Sequence, residues 1–175
     1  MIKLFAIAVV AFLGGVLLFA ASRPDSFRIE RSATIKAPPE KLYAQVNDLK
    51  AWTAWSPWER IDPALKRTYS GPQSGKGAAY AWEGNKDVGV GRMEITDAVS
   101  ASTITIKLDF LKPFEAHNTA EFTMLPQGNA TSVHWVMHGP SNFMSKVMHV
   151  FMNIEKMVGK DFEAGLANLK RLTEK

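Results

Sequence analysis

The chain contains no cysteine. Disulfides, thiolate metal sites and thiol nucleophiles are therefore excluded, and nothing in the sequence fixes the redox character of its compartment. Histidine is scarce, with four residues, so few side chains can move a proton near neutral pH. No Gly-x-Ser-x-Gly elbow occurs, which removes the serine nucleophile held on a strand-to-helix turn. A concentration of charge of one sign is also lacking. The net charge of +4 falls to +2 when Lys3 and Arg23 are set aside with the N-terminal segment, because all 17 acids lie beyond it. So weak an excess is not the basic stripe that nucleic acid requires, and no nucleic-acid partner is expected. Glycines pair at Gly75-Lys76-Gly77 and Gly89-Val90-Gly91, but neither precedes the helix that a phosphate loop needs. They read as hairpin turns and as a bulge or close backbone approach in a sheet.

What is present is a globular chain of 175 residues, 46% hydrophobic and 22% charged, long enough for one well-buried core. It divides into an N-terminal appendage, residues 1–23, and a domain, residues 24–175. Leu4 to Ala21 is an unbroken apolar run, preceded by Lys3 and followed by Ser22 and Arg23. As a helix it spans about 27 Å, close to the hydrocarbon thickness of a bilayer. We read it as a single-pass membrane anchor through residues 4–21; the competing reading is a cleaved signal peptide with Ala20 and Ser22 before the cut. Arg23, Arg28, Arg31 and Lys36 follow the run, against Lys3 before it. The positive-inside rule then favours a cytoplasmic domain, but folded domains translocate largely regardless of such charges, which leaves the side open.

Phe27 to Ile35 alternates apolar with polar residues and predicts a first strand. Pro38-Pro39 opens a short helix with Leu42, Tyr43, Val46 and Leu49 on its apolar face. A shorter turn carries Trp52 and Trp55 and stops at Ser56-Pro57. Further strands are predicted over 66–70, 78–83, 88–96, 103–110, 116–125 and 131–138, with Gly84-Asn85 as a hairpin turn. From Ser141 to the C-terminus the pattern predicts one uninterrupted amphipathic helix, with Met144, Val147, Met148, Phe151, Ile154, Val158, Phe162, Leu166, Leu169 and Leu172 at helical spacing. A long helix after antiparallel strands lays its stripe on the sheet's apolar face. If the sheet is strongly curved, the space left between them is a pocket.

This order of elements resembles the helix-grip fold of the START-related (SRPBCC) superfamily, and its bacterial polyketide cyclase/dehydrase-like branch in particular. The residues that carry the likeness are the opening strand and helix from Phe27 to Trp52, the turn Trp52-Thr-Ala-Trp-Ser-Pro-Trp58, and the closing Gly159-Lys-Asp-Phe-Glu-Ala-Gly-Leu-Ala-Asn-Leu-Lys170. The resemblance implies an α+β fold of about six to seven antiparallel strands around a long C-terminal helix. It says little about chemistry, since the superfamily hosts many functions.

Strand and helix parity nominates Trp82, Met93, Ile106, Leu108, Phe122, Trp135, Phe151 and Val158 as lining. Trp52, Trp55 and Trp58 lie three apart and share a side, either at the pocket mouth or as a packed hinge. Arg31 has the inward parity of Ile29, Ala33 and Ile35. It reads either as a bidentate partner for a ligand carboxylate or as a strand-end arginine reaching solvent, with Glu94 a conceivable protein partner. His117, His134 and His138 fall on outward parities, and i, i+4 spacing on a strand separates two residues by about 13 Å, so no metal site is expected. Gly159 and Gly165 inside the last helix signal a bend, close packing or room for a ligand. Met144, Met148, Met152 and Met157 suit an irregular apolar partner.

The expected activity is membrane-anchored, non-covalent binding of a hydrophobic or amphipathic small molecule, a lipid or an aromatic compound, with no cofactor. The enzyme alternative, a cyclase or dehydratase, requires an ionisable side chain in the cavity. A third alternative, a membrane-tethered protein-interaction or stress-response module, requires a small or filled pocket and an exposed apolar patch.

Overall fold

The computed structural model describes residues 2–174. Seven strands form where the sequence alternates: β1 Ser26–Ile35, β2 Lys66–Ser70, β3 Ala79–Glu83, β4 Val90–Val99, β5 Thr103–Lys112, β6 Ala116–Gln127 and β7 Ala130–Pro140. They make one antiparallel sheet in the order β1-β7-β6-β5-β4-β3-β2. From β2 to β7 every sequential pair is a hairpin; β1 instead pairs with β7, from Ser26↔Pro140 to Ile35↔Thr131. Register shifts at Val90/Gly91 and Ile95/Asp97 are irregularities of the kind that bend a strand.

Among the described residues there are five helices, α1 Ile2–Ala21, α2 Pro39–Asn47, α3 Trp52–Trp55, α4 Phe143–Phe151 and α5 Ile154–Thr173, with a 3₁₀ turn at Pro57–Arg60. A seven-stranded antiparallel sheet gripping a long C-terminal helix, with short helices after β1, is the helix-grip arrangement that the pattern predicts. The tryptophan turn also closes α2. The last carbonyls of a helix lack partners within it, and Trp52 Nε1–H donates to the Val46 carbonyl at 2.9 Å while Trp55 Nε1–H donates to that of Gln45 at 3.2 Å.

Two local expectations are corrected. The single helix from Ser141 onward is two helices, because Met152 is extended and Asn153 starts a new helix, its side chain accepting the Lys156 N–H at 2.9 Å. Apolar spacing runs through the break because both helices have apolar sides, yet those sides serve different partners: α4 packs on α1, α5 on β1, α2 and α3. The connection between β3 and β4 is also longer than a Gly84-Asn85 hairpin turn. It spans 84–89 and is closed by Gly84 N–H donating to the Gly89 carbonyl, with the Asn85 side chain accepting from Asp87 and Val88.

The glycines of α5 mark close packing. The position of a Cβ on Gly159 is occupied by the Arg31 guanidinium, and a Cβ on Gly165 would lie 2.7 Å from the Trp135 ring. These two obstacles differ. Arg31 ends in a flexible arm that can swing aside, whereas the Trp135 ring is stacked on Phe162 at 4.1 Å. Gly165→Ala is therefore expected to lower stability by about 1–3 kcal/mol through overpacking. Gly159→Ala should stay within about 1 kcal/mol of the parent, because the helix-propensity gain offsets a displaced exposed ion pair. Unfolding midpoints of the two variants check this; equal losses would mean that Arg31 is as fixed as Trp135.

Candidate ligand cavity

The inward faces of β3 to β7 bring Tyr80 and Trp82, Met93, Ile106 with Leu108 and Phe110, Ala120, and Trp135 with Met137 to one side of the sheet. Opposite them stand Val158 and Phe162 of α5 and Trp52, Ser56, Trp58 and Glu59 from the tryptophan turn. Between the two layers is a cavity of about 230 Å³, apolar over nearly all of its wall. Phe162 lies flat on Trp135, with interplanar angle 5°, and Trp58 meets both rings edge-on at 5.7 and 6.2 Å. Offset and edge-to-face contacts of this kind hold rings in fixed positions.

The polar edge is a small network. Glu59, whose side chain is 6% exposed, accepts from Arg67 Nε at 2.6 Å and from the Tyr80 hydroxyl at 2.8 Å. Tyr80 stacks on Tyr69 at 5.0 Å. Burial, then the Glu59 carboxylate that it faces, push the Tyr80 phenol far above the ordinary phenol range. The bond to Glu59 raises Arg67, so that guanidinium stays charged. A buried carboxylate is tolerated only when paired and hydrogen-bonded, and here each oxygen has a donor. Trp135 is less well served: among the described residues its indole N–H finds no acceptor, a cost on the order of 1–3 kcal/mol.

Of the residues nominated from the sequence, Trp52, Trp58, Trp82, Met93, Ile106, Leu108, Trp135 and Val158 stand in the cavity wall. Trp55 and Phe122 are buried outside the wall, with ring centroids 5.6 and 4.8 Å from that of Trp135. Phe151 is not in the wall: it is 67% exposed on α4, beyond the break that the helical periodicity concealed. Arg31 is not there either. It keeps its inward parity on β1 but lies under α5, paired with Glu155 at 2.8 Å and Glu163 at 2.7 Å. Glu155, Gly159 and Glu163 share one helix face at steps of four, and the bare Gly159 makes room for the guanidinium between the two carboxylates. The position read as a ligand carboxylate is thus filled by the protein's own, which raise Arg31 further, Glu163 more than Glu155. Glu94, the suggested partner, bonds Arg92 at 2.6 Å instead.

The histidines stand outside the wall. His117 bonds Asp109 at 2.7 Å and Glu115 at 3.2 Å, which raises it above the usual imidazole value, the Asp109 bond first. His134 lies 3.4 Å from Glu30 and His138 3.8 Å from Glu121. Sequence reasoning missed the Glu59–Arg67–Tyr80 network. The shared parity of Tyr80 with Trp82 would have found the phenol; nothing local in Pro57-Trp58-Glu59 marks the carboxylate as inward. Glu59→Ala removes the carboxylate from Arg67, which keeps only the Leu65 and residue 59 carbonyls, leaves the Tyr80 hydroxyl without its acceptor and is expected to cost about 2–4 kcal/mol, while Glu59→Gln, which still accepts, costs less. Comparison of the two unfolding midpoints decides it: an unchanged Ala variant would show that the network contributes nothing to stability.

The sequence matches, over residues 26–174, the family model described as polyketide cyclase / dehydrase and lipid transport. Among solved structures it is similar to protein CV1439 from Chromobacterium violaceum, at 16% identity, 87% of this chain, 99% of that one and TM-score 0.59. It is similar also to the Aha1 dimer from Colwellia psychrerythraea, at 16% identity, 85% and 96% coverage and TM-score 0.60. A third similar structure is the di-domain ARO/CYC BexL from the BE-7585A biosynthetic pathway, at 14% identity and TM-score 0.64, covering 99% of this chain and 58% of that one. No curated protein matches the sequence. Likeness at these identities is one of fold.

Proposed function

The chain belongs to the polyketide cyclase/dehydrase and lipid transport family, and on that premise we propose that it binds one small hydrophobic molecule, non-covalently, between sheet and α5. The observation that carries this reading is the cavity itself: an apolar space walled by fixed aromatic rings, with polar groups at one edge. Burial of apolar surface drives binding, and the Glu59–Tyr80 edge, with Ser56 beside it, orients a ligand hydroxyl or amide. Size narrows the class. At about 230 Å³ the cavity falls below the roughly 300–1,000 Å³ of drug-sized sites. One aromatic ring system or one alkyl chain fits this volume better than a two-chain lipid.

Catalysis is the weaker reading. Glu59 is the one carboxylate in the wall among the described residues, and both of its oxygens are engaged. Tyr80 donates to it and is held far from the neutral range, where a general acid or base is most effective.

The second part of the proposal concerns α1. Lys3–Ala21 has mean hydropathy 2.7 and is long and apolar enough to cross a membrane. Its side chains point outward almost throughout, Leu4 at 74% and Leu18 at 76% exposure, and Arg23 sits over the Phe19 ring at 4.8 Å, as a cation does at a membrane boundary. We read α1 as a retained anchor. The intact chain recovered from membranes should then have a mass that includes residues 1–23; a mass lacking them would assign a cleaved signal instead.

The cavity is tested by filling it. Ala120 lines it, and Ala120→Phe adds a ring at the cavity wall. Calorimetric titration with 1-naphthol should give saturable one-site binding to the parent chain and at least about tenfold weaker binding to the variant, equivalent to about 1.4 kcal/mol. Both proteins are measured in the same detergent, so partitioning cancels. Equal affinities would place the probe elsewhere and overturn the reading.

A further inference from the structure

Helix α4 has its polarity inverted. Its one lysine, Lys146, is among the buried residues, in an ion pair with Asp25. Val147, Met148 and Val150 are half-buried, but three of its six apolar residues face outward: Phe143, Met144 and Phe151 are 51%, 61% and 67% exposed, and the adjoining Met152 is 41% exposed. A helix of a water-soluble surface does the reverse, burying its apolar stripe and offering its charges to solvent. The side of α4 that is covered is covered by α1.

The start of α4 is tied to the end of α1. Ser141 N–H donates to the Asp25 carbonyl, Lys146 reaches the Asp25 carboxylate, and His149, one turn further on, lies within electrostatic reach of Arg23. From its first turn α4 therefore advances back alongside α1. A second, independent segment stands at the same end of the sheet. The pairings Ser26↔Pro140, Thr119↔His138 and Asp109↔His117 bring the β5–β6 tip to the edge from which α1 departs. That tip carries Leu111 and Phe114, 48% and 58% exposed.

We propose that the exposed face of α4, together with Leu111 and Phe114 at the same end of the sheet, seats in the headgroup and outer acyl region of the bilayer that α1 crosses. The proposal rests on the anchor reading of α1. Continuity argues for lipid as the occupant: the apolar surface of α1 passes into that of α4 without an intervening exposed charge on α4, and Arg23 marks the level where headgroups begin. The domain is then held at two further points beside its tether, with a fixed orientation towards the membrane.

The absence of native cysteine makes the test direct. Single substitutions Phe151→Cys, Phe114→Cys, Leu13→Cys and Asn129→Cys are made in the full chain, each at an exposed position, and labelled with a fluorophore. The labelled proteins are reconstituted into phosphatidylcholine/phosphatidylglycerol vesicles containing doxyl-labelled lipid. Asn129 lies on the β6–β7 turn, at the far end of the sheet, and serves as the water reference. The expected result is quenching several-fold stronger at Phe151 and Phe114 than at Asn129, and strongest at Leu13. Quenching at Leu13 with Phe151 and Phe114 no different from Asn129 would overturn the proposal and leave the anchor standing. No quenching at Leu13 would overturn the anchor and the proposal together. Disulfide coupling of Phe151→Cys between chains, without quenching, would assign the face to a second copy of this protein and also overturn it.

Discussion

The seating of α5 on the sheet depends on the ring of Trp135. It lies parallel to Phe162 at 4.1 Å, receives Gly165 of the same helix against its edge, and meets Trp52, Trp55, Trp58 and Phe122 at 4.8–6.1 Å. Aromatic pairs contribute about 0.5–1.5 kcal/mol each beyond their buried area; Phe162 brings α5 two of them, with Trp135 and with Trp58, and the other rings hold Trp135 in place beneath it. Arg31 bonds Glu155 and Glu163, but both carboxylates are well exposed, and exposed pairs are worth about 0–1 kcal/mol. The aromatic stack carries the seating of the helix, and the Arg31 pairs at Gly159 add little to it. The stack is itself part of the cavity wall, which continues past it to Met137 two residues along β7 and to Val158 one turn back along α5.

Charge and emptiness are kept apart in this molecule. The cavity wall holds one carboxylate, already paired with Arg67 and Tyr80, while the histidines and most ion pairs lie on other faces. An unpaired ion in that wall would draw water or shift its protonation. With Glu59 neutralised by its neighbours, the space stays suited to an apolar occupant, and the hydrogen bonds that neutralise it also supply the edge that can select one.

Much of this was legible in the sequence. Period-two alternation along Phe27–Ile35 and Thr103–Phe110 fixed strands and faces together, because a one-residue slip would turn every side chain over. Five residues nominated by strand parity, Trp82, Met93, Ile106, Leu108 and Trp135, stand in the wall. What escaped was decided at longer range. Apolar spacing from Met144 to Leu172 continues across Asn153, so the break left no trace in the period, and Phe151 followed α4 away from the sheet. Arg31 was recognisably inward, but its partners sit 124 and 132 residues away on α5, where only the fold brings Glu155 and Glu163 to either side of Gly159. Glu59 gave no local sign, since its place depends on how the 3₁₀ turn meets β2 and β3.

The crowding of indoles around Trp135 has an optical consequence. Trp52, Trp55 and Trp135 contact one another and Trp58 contacts Trp135, with centroids 4.7–6.1 Å apart and planes inclined at 48–84° in these four pairs. Chromophores so close and so skewed do not absorb independently; their transitions mix into delocalised states of strong rotational strength. The circular dichroism of this protein will carry an exciton signature on top of its backbone bands, and a helix content read from those bands alone will be distorted. The same coupling turns the cluster into a built-in reporter, since any occupant that tilts one ring alters the spectrum of all four.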